Sequence, residues 1–521
     1  MLKRKTILFT SKKDKRKTAV LASLCVFFYS VFFMLIIWLL GVFPNVDIDQ
    51  AIFTAMTPID GTSSAVLLSF YLEVIAVPIL LTVLNLILIL KEKQIAVILQ
   101  SKNFRIAPCL CKHPFLYLIV LVVLVTGYSQ YKLRYVQYAY YTMLPPGDLY
   151  EKNYIDPAKV KFTFPEKKRN LIILYLESME ITATDVEHGG LLRNNLIPEL
   201  TRIAEDELSF SNGSKLGGAV QVAGATHSIA SLTCLNLGVP LILKIPHISS
   251  LASFNEHNFN LSKLKIEHFM TGGYGLGDLL YDNGYNLTFS MASNKDFGCL
   301  GQFLEAHKNF NIKTAAEYKA EGRIPQDYNV WWGFEDEKLY QFAREDISAL
   351  AQEDKPFAYI LFTADTHSPG GYRDEKCPNI YFEKIHNVYA GASQKVYDFI
   401  MWAKSQDFYE NTTIVIVGDH LYMGGDLYPL TVRNSERHTY NAFVNSAKTT
   451  DKNKNRRFTT FDLFPTVVES LGIGFDAKGL GLGRSLFSGE KTLLEQKGLN
   501  RLNAEITRKS DFYENNLMNK K

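Results

Sequence analysis

Residues 19 to 41, VLASLCVFFYSVFFMLIIWLLGV, contain no charged side chain. As a helix this run is long enough to cross a hydrocarbon layer of about 30 Å. A surface helix of a water-soluble domain needs a polar face, and this segment has none. The chain must therefore be read as a membrane part followed by something else. Two further runs support that division: SAVLLSFYLEVIAVPILLTVLNLILIL at 64–90, with only Glu73 charged, and PFLYLIVLVVLVTGYS at 114–129. Three transmembrane helices are expected, at 19–41, 64–90 and 114–129, within a membrane domain of residues 1–130. The first run follows a basic N-terminus as a signal peptide does, but its apolar core is too long and two more runs follow, so a retained anchor is expected. Glu73 reads as a tolerated or partnered intramembrane acid and is given no role.

The loops set an orientation. The segment before the first run carries Lys3, Arg4, Lys5, Lys12, Lys13, Lys15, Arg16 and Lys17 against Asp14, and the loop after the second carries Lys91, Lys93, Lys102, Arg105 and Lys112. The loop between the first two runs has Asp47, Asp49 and Asp60 and no Lys or Arg. By the positive-inside rule both basic segments are cytoplasmic, and three crossings put everything after about residue 130 on the outer face. The expected location is the cytoplasmic (inner) membrane, multi-pass, with the soluble part periplasmic or extracytoplasmic.

A chain of 521 residues exceeds one ordinary core. Its formal net charge is +3, and no basic stripe interleaved with aromatics runs through the soluble part, which argues against a nucleic-acid partner. The six cysteines, at 25, 109, 111, 234, 299 and 377, have no zinc-site spacing. Cys234, Cys299 and Cys377 leave room for one disulfide.

The polar, proline-containing stretch PPGDLYEKNYIDPAKVKFTFPEKKR lacks a clear period, so residues 131–169 read as a linker. Beyond it, LIILYLES at 171–178, FAYILFTADTH at 357–367 and TIVIVGDH at 413–420 share one design, an apolar run ending in polar residues. Strands apolar on both faces belong to a mostly parallel sheet covered by helices, and segments such as GASQKVYDFIMWAK at 391–404 supply the helical pattern. The expected class is α/β, with a catalytic domain at 170–490 and a polar C-terminal tail at 491–521. In such sheets ligands gather beyond the carboxyl ends of the strands, where Glu177, Asp365, His367, Asp419 and His420 fall.

An acid at the end of one strand is usually a cap or a surface residue. Glu177, Asp419 and His420 together offer carboxylate oxygens and an imidazole, a set suited to Mn²⁺ or Mg²⁺ first and to Zn²⁺ as well. In GATHSIASLTCLNLGVPL at 224–241, Thr226 precedes an apolar run of helical spacing, and it reads either as an N-cap or as a fourth ligand. As a ligand it would also be a nucleophile, since a metal lowers the pKa of its hydroxyl and a helix N-terminus favours a nearby phosphate.

The ordered motifs LESMEIT, GAT with LGVPL, ADTHSPGGY, VIVGDH and GLGLGRSLF resemble the branch of the alkaline phosphatase and sulfatase superfamily that contains lipoteichoic acid synthase and the phosphoglycerol transferases. GLGDLLYDNGY at 275–285 and DYNVWWGFEDEKLY at 327–340 are similar to phosphoglycerol transferases that decorate osmoregulated periplasmic glucans. The resemblance implies a metal site of Glu177, Thr226, Asp419 and His420, with Thr226 the residue that becomes phosphoglycerylated. It implies that His367 contacts the substrate phosphate. Trp332, with Trp331, is a candidate sugar or glycerol platform that would serve equally as core, and Arg437 and His438 are candidate phosphate contacts or a solvated pair. The implied partners are phosphatidylglycerol as donor, a periplasmic or cell-surface glycan as acceptor, and membrane lipid. A phosphoethanolamine transferase acting on lipid A or a glycan is the alternative within the same chemistry; a plain phosphodiesterase and an inactive membrane-anchored sensor or scaffold are others. A formylglycine sulfatase would need a C/S-x-P-x-R motif, which the sequence lacks.

Overall fold

The computed structural model describes residues 12–43, 46, 48, 51, 64–98, 114–242, 270–432 and 435–518. The lysines and arginines before Lys12, the loop residues Asp47, Asp49 and Asp60, and Lys102, Arg105, Cys109, Cys111 and Lys112 lie outside the described residues. The chain forms two compact units, one of Met1–Pro44 with Ser63–Val136, the other of Asn45–Thr62 with Gln137–Lys521.

In the first unit, α1 (Lys12–Val42) is followed by a helix at Ser64–Phe70, a π-helical turn at Tyr71–Ala76 that holds Glu73, α2 (Val77–Ile98) and α3 (Pro114–Leu133). Among the described residues two stretches, Ser23–Val42 and Ser64–Ile87, are long and apolar enough to cross a membrane. Trp38 donates through its indole N–H to Ser69 Oγ at 2.9 Å and Asn85 Nδ2 donates to Ser23 Oγ at 3.2 Å, tying α1 to the second stretch by side-chain hydrogen bonds. Phe28, Leu80 and Leu124 meanwhile point outward. Apolar side chains outside and polar partners between helices suit a lipid solvent.

The second unit is built on six strands: β1 (Asn170–Leu176), β2 (Asn286–Met291), β3 (Asn311–Lys313), β4 (Phe357–Phe362), β5 (Thr412–Gly418) and β6 (Asn441–Val444). Their order in the sheet is β3-β2-β4-β1-β5-β6, parallel except for β6, which runs antiparallel to β5. Along β1, Leu171, Ile173 and Tyr175 enter one core while Ile172, Leu174 and Leu176 enter the other. The unbroken apolar run follows from that, because each face carries its own helical layer. The first core includes α4 (Ser228–Leu237), every residue of which is buried, and α7 (Leu463–Ser470). The second core is closed by α5 (Asp336–Leu350) and α6 (Lys384–Lys404).

Two stretches depart from the sequence reading. The expected linker contains helices at Tyr135–Met143 and Leu149–Asn153, buries Leu149 and Tyr150, and pairs Phe162–Thr163 with Gly474–Phe475. The expected polar tail forms helices at Leu493–Lys497 and Leu499–Thr507 and a π turn at Tyr513–Met518, and it buries Leu493, Leu502, Ile506, Tyr513 and Leu517. The C-terminal helix Leu499–Thr507 is amphipathic, with buried Leu502 and Ile506 set among polar residues, so composition hid it. Cys234, Cys299 and Cys377 are buried free thiols, so the disulfide left open by the sequence does not form.

Candidate metal centre

The sheet order puts β1 between β4 and β5, so the polar residues that end these three strands meet. Glu177 directly follows β1, and its N–H donates to Thr363 Oγ1 at 2.9 Å, just past β4. Ser178 then turns the chain with a positive φ of 53°, a left-handed conformation uncommon for a non-glycine residue. The turn is fixed by Ser178 N–H donating to Asp419 Oδ1 at 2.7 Å and by the Tyr389 hydroxyl donating to the Ser178 carbonyl. Gly418, the last residue of β5, admits no side chain, since a Cβ there would lie 1.8 Å from the Met179 carbonyl oxygen. That close approach seats Asp419 beside Glu177.

Glu177, Asp419 and His420 bring one ligand atom each to within 4.8 Å of one another, and all three side chains are buried. His420 Nε2 is 3.4 Å from Glu177 Oε1 and 3.4 Å from Asp419 Oδ2. Its other ring nitrogen, Nδ1, lies 2.9 Å from the Leu421 carbonyl, which can only accept, so Nδ1 carries the hydrogen. In the neutral ring the Nε2 lone pair therefore faces two carboxylates, an arrangement that calls for a cation between them. Asp419 Oδ1 accepts from Ser178 N–H and, at 2.6 Å, from His420 N–H, whereas Asp419 Oδ2 is buried without a hydrogen bond among the described residues. The orphaned oxygen, the oriented imidazole and the second carboxylate fit a divalent cation with oxygen and nitrogen ligands.

The titration shifts have the same origin. Burial pushes the Asp419 carboxyl up to about 8, with the Glu177 charge adding to it. Burial also raises Glu177, but His367, His420 and hydrogen bonds from Ser178 and Ser228 outweigh it and leave the carboxyl below its ordinary value. Burial disfavours a charged His420, yet Asp419 and Glu177 raise its pKa overall. His227, buried and next to that positive charge, is pushed down to about 3 and stays neutral.

His367 stands close enough for Glu177 to act on its charge, although burial dominates and lowers its pKa. Its Nδ1 donates to the Ser368 carbonyl at 2.6 Å. The Trp332 ring lies 4.4 Å from the His367 ring, and Phe297 lies 5.9 Å away. The indole N–H groups of Trp331 and Trp332 are buried without an acceptor among the described residues. A buried ion cluster carries the loop that presents His367: Lys395 Nζ donates to Asp365 Oδ2 at 2.7 Å, and the Asp336 carboxylate accepts from the N–H groups of Ala364 and Asp365 at 2.8 and 2.9 Å.

Three sequence candidates have other surroundings. Arg437 donates through Nε to Glu180 Oε2 at 2.9 Å and through Nη2 to Glu180 Oε1 and to the Tyr422 carbonyl at 2.8 Å, so it neutralises a fully buried carboxylate and is not a free phosphate contact. His438 forms a short strand with Thr439 and pairs through Nε2 with Glu436 at 3.0 Å, with no described hydrogen bond to the three ligands. Thr226 is neither N-cap nor first helical residue: His227 is the N-cap, with φ −152° and ψ 166°, and α4 begins at Ser228. Thr226 Oγ1 is buried without a hydrogen bond among the described residues. Sequence reasoning passed over Ser228, whose Oγ lies 3.3 Å from Glu177 Oε2 and 3.5 Å from His420 Nε2. A signal was present, since Ser228 is a second hydroxyl in the same helix start.

A sequence model of the sulfatase family matches residues 169–473. A phosphoglycerol transferase I from Salmonella choleraesuis (strain SC-B67) is 28% identical over 343 residues, covering 65% of this chain and 41% of that protein. The chain thus spans about two fifths of the length of the curated relatives it matches. Among solved structures, an alkaline phosphatase superfamily protein from Vibrio parahaemolyticus aligns with TM-score 0.46 and 21% identity, covering 66% of this chain and 76% of that one. The lipoteichoic acid synthase LtaP from Listeria monocytogenes aligns with TM-score 0.48 and 16% identity, covering 63% and 79%.

Proposed function

Because the chain belongs to the sulfatase family, we propose that it is a metal-dependent phosphotransferase moving glycerophosphate from phosphatidylglycerol to an extracytoplasmic glycan hydroxyl. The observation that carries this reading is the buried Asp419 Oδ2, without a hydrogen bond among the described residues and 3.4 Å from His420 Nε2. Glu177, Asp419 and His420 would hold the cation, Mn²⁺ or Mg²⁺ in preference to Zn²⁺ given two carboxylates. A divalent cation bound there polarises a phosphodiester and lowers the pKa of an attacking hydroxyl. The N-terminus of α4, whose first-turn N–H groups have no partner within the helix, favours the phosphate. His367, its Nδ1 hydrogen held by Ser368, presents Nε2 as acceptor, and the Trp332 indole N–H is a donor for a substrate oxygen. The rings of Trp332 and Phe297 against His367 exclude water. The name of the relatives supports glycerophosphate as the group moved, and the absence of a C/S-x-P-x-R motif argues against formylglycine chemistry.

The donor is tested by incubating the full chain in detergent with Mn²⁺ and either phosphatidylglycerol or phosphatidylethanolamine, with a glucan acceptor. Diacylglycerol release and labelled glucan are expected from phosphatidylglycerol, and a chelator should stop both. Preference for phosphatidylethanolamine reassigns the headgroup, release without labelled glucan indicates a phosphodiesterase, and no release from either lipid by the metal-loaded chain sinks the transferase reading.

The anchor is proposed to cross the cytoplasmic membrane three times, through α1, the Ser64–Ile98 segment and α3, with the second unit outside. Reporter fusions after residues 45, 100 and 160 are expected to read outside, inside and outside. An even number of crossings before residue 160 would put the site on the wrong side of the membrane for a periplasmic acceptor.

A further inference from the structure

We infer that Ser228, and not Thr226, is the hydroxyl that attacks phosphorus and completes the metal site. The inference rests on the phosphotransferase reading, and it deepens that reading by naming the attacking atom. Ser228 is the first residue of α4 and contributes the one hydroxyl of that helix start with a described contact to the carboxylate and imidazole ligands: Oγ lies 3.3 Å from Glu177 Oε2 and 3.5 Å from His420 Nε2. An oxygen in contact with two of the three ligand side chains, and supplied by a third element of the fold, occupies the wall of the same small space. It is the natural fourth donor.

Thr226 differs in each respect. It precedes the N-cap, and no described hydrogen bond or ion contact joins its Oγ1 to Glu177, Asp419 or His420. The extended backbone of His227 separates the two hydroxyls, and only the later one enters the first helical turn, where N–H groups converge on an anion. The Ser228 hydroxyl donates to the Glu177 carboxylate, and His420 Nε2 stands on the same side, so two ligand side chains face this oxygen.

The reaction then balances in two halves. In the first, Ser228 Oγ forms a bond to phosphorus, the phosphorus bond to the diacylglycerol oxygen breaks, and the serine proton ends on that departing oxygen. In the second, the acceptor hydroxyl oxygen bonds to phosphorus, the Ser228 Oγ–phosphorus bond breaks, and the acceptor proton returns to Ser228.

The test uses the full chain in detergent, two donors and a metal titration. With phosphatidylglycerol and no acceptor, fragmentation mass spectrometry should find the glycerophosphate on Ser228. Ser228→Ala should abolish the adduct, Ser228→Thr should restore part of it, and Thr226→Val should keep it on Ser228. With bis(4-nitrophenyl) phosphate, an activated phosphodiester that needs no lipid pocket, the label should fall on Ser228 as well. Independently of either donor, Ser228→Ala should weaken Mn²⁺ binding by about 10- to 100-fold while the unfolding temperature stays near that of the parent. Label on Thr226, or undiminished labelling in Ser228→Ala, overturns the serine and leaves the transferase reading standing. Label on Ser228 from the activated diester, with none from phosphatidylglycerol, upholds the serine and overturns the donor. If neither donor labels the chain, Mn²⁺ affinity decides, and an unchanged value in Ser228→Ala overturns the assignment.

Discussion

Asp419→Asn is expected to reduce diacylglycerol release from phosphatidylglycerol by about 10³-fold or more, with the fold intact. The amide keeps the size of the side chain, and its oxygen still accepts from Ser178 N–H and His420 N–H, the two bonds that seat the β5 end against the β1 turn. What it loses is the charge, at the oxygen that has no hydrogen bond among the described residues to replace a cation. Mn²⁺ content of the purified variant should fall in parallel. A variant with parental metal content and parental turnover would remove Asp419 from the site altogether. The metal-free parent adds a pH signature. Its Asp419 carboxyl, held up to about 8 by burial and then by Glu177, carries a proton at neutral pH, so cation binding must release it. Mn²⁺ affinity should therefore rise with pH from 6 to 8, and calorimetry in buffers of different ionisation enthalpy should register proton release at pH 7; both effects should shrink in Asp419→Asn, where His420 is left to release a proton beside Glu177.

The second large effect concerns stability. Arg437→Met is expected to cost about 3–5 kcal/mol, because it leaves the Glu180 carboxylate buried without its counter-charge. Glu180 is fully buried, and the Thr182 and Tyr428 hydroxyls and the Tyr422 N–H also donate to it, at 2.9, 3.0 and 2.8 Å. These hydrogen bonds hold the carboxylate in place but do not neutralise it. Arg437 stays firmly ionised, since Glu180 beside it outweighs the burial that works against its charge. The double variant Glu180→Gln/Arg437→Met should recover much of the loss, since no uncompensated charge remains. Thermal unfolding of the full chain reads both. A phosphate-contact role for Arg437 predicts the opposite pattern, a raised KM with unchanged unfolding temperature and no recovery in the double variant.

These residues show what the sequence made legible. The apolar runs of β1, β4 and β5 were readable as strands because both faces of the sheet are covered, and that burial leaves no polar alternation to confuse them. Glu177, Asp419 and His420 were readable as a group because each directly follows such a run. Arg437 was not, because its partner Glu180 lies 257 positions away and a charge next to a histidine looks the same whether solvated or buried. The hydroxyl at the start of α4 was harder still. Helix-start rules favour Ser, Thr, Asp or Asn at the N-cap, whereas here the cap is His227, which makes no side-chain capping bond. A shift of two positions, ordinary for helix boundaries read from sequence, separates Thr226 from Ser228. The amphipathic C-terminal helices were missed because the segment was judged by its polarity, although Leu502 and Ile506 fall on one helical face.

The pairing of β1 with β5 also bears on how the chain reaches its working state. Ser178 and Asp419, bonded to each other in the folded protein, are 241 positions apart in the chain. Parallel strands so distant pair only after a large loop has closed, and such contacts form late and slowly. A chain arrested before β5 has docked has Glu177 and α4 but neither Asp419 nor His420, and so offers no complete ligand set to a cation. On the proposed metal-dependent mechanism, competence for chemistry is thereby linked to completion of the sheet.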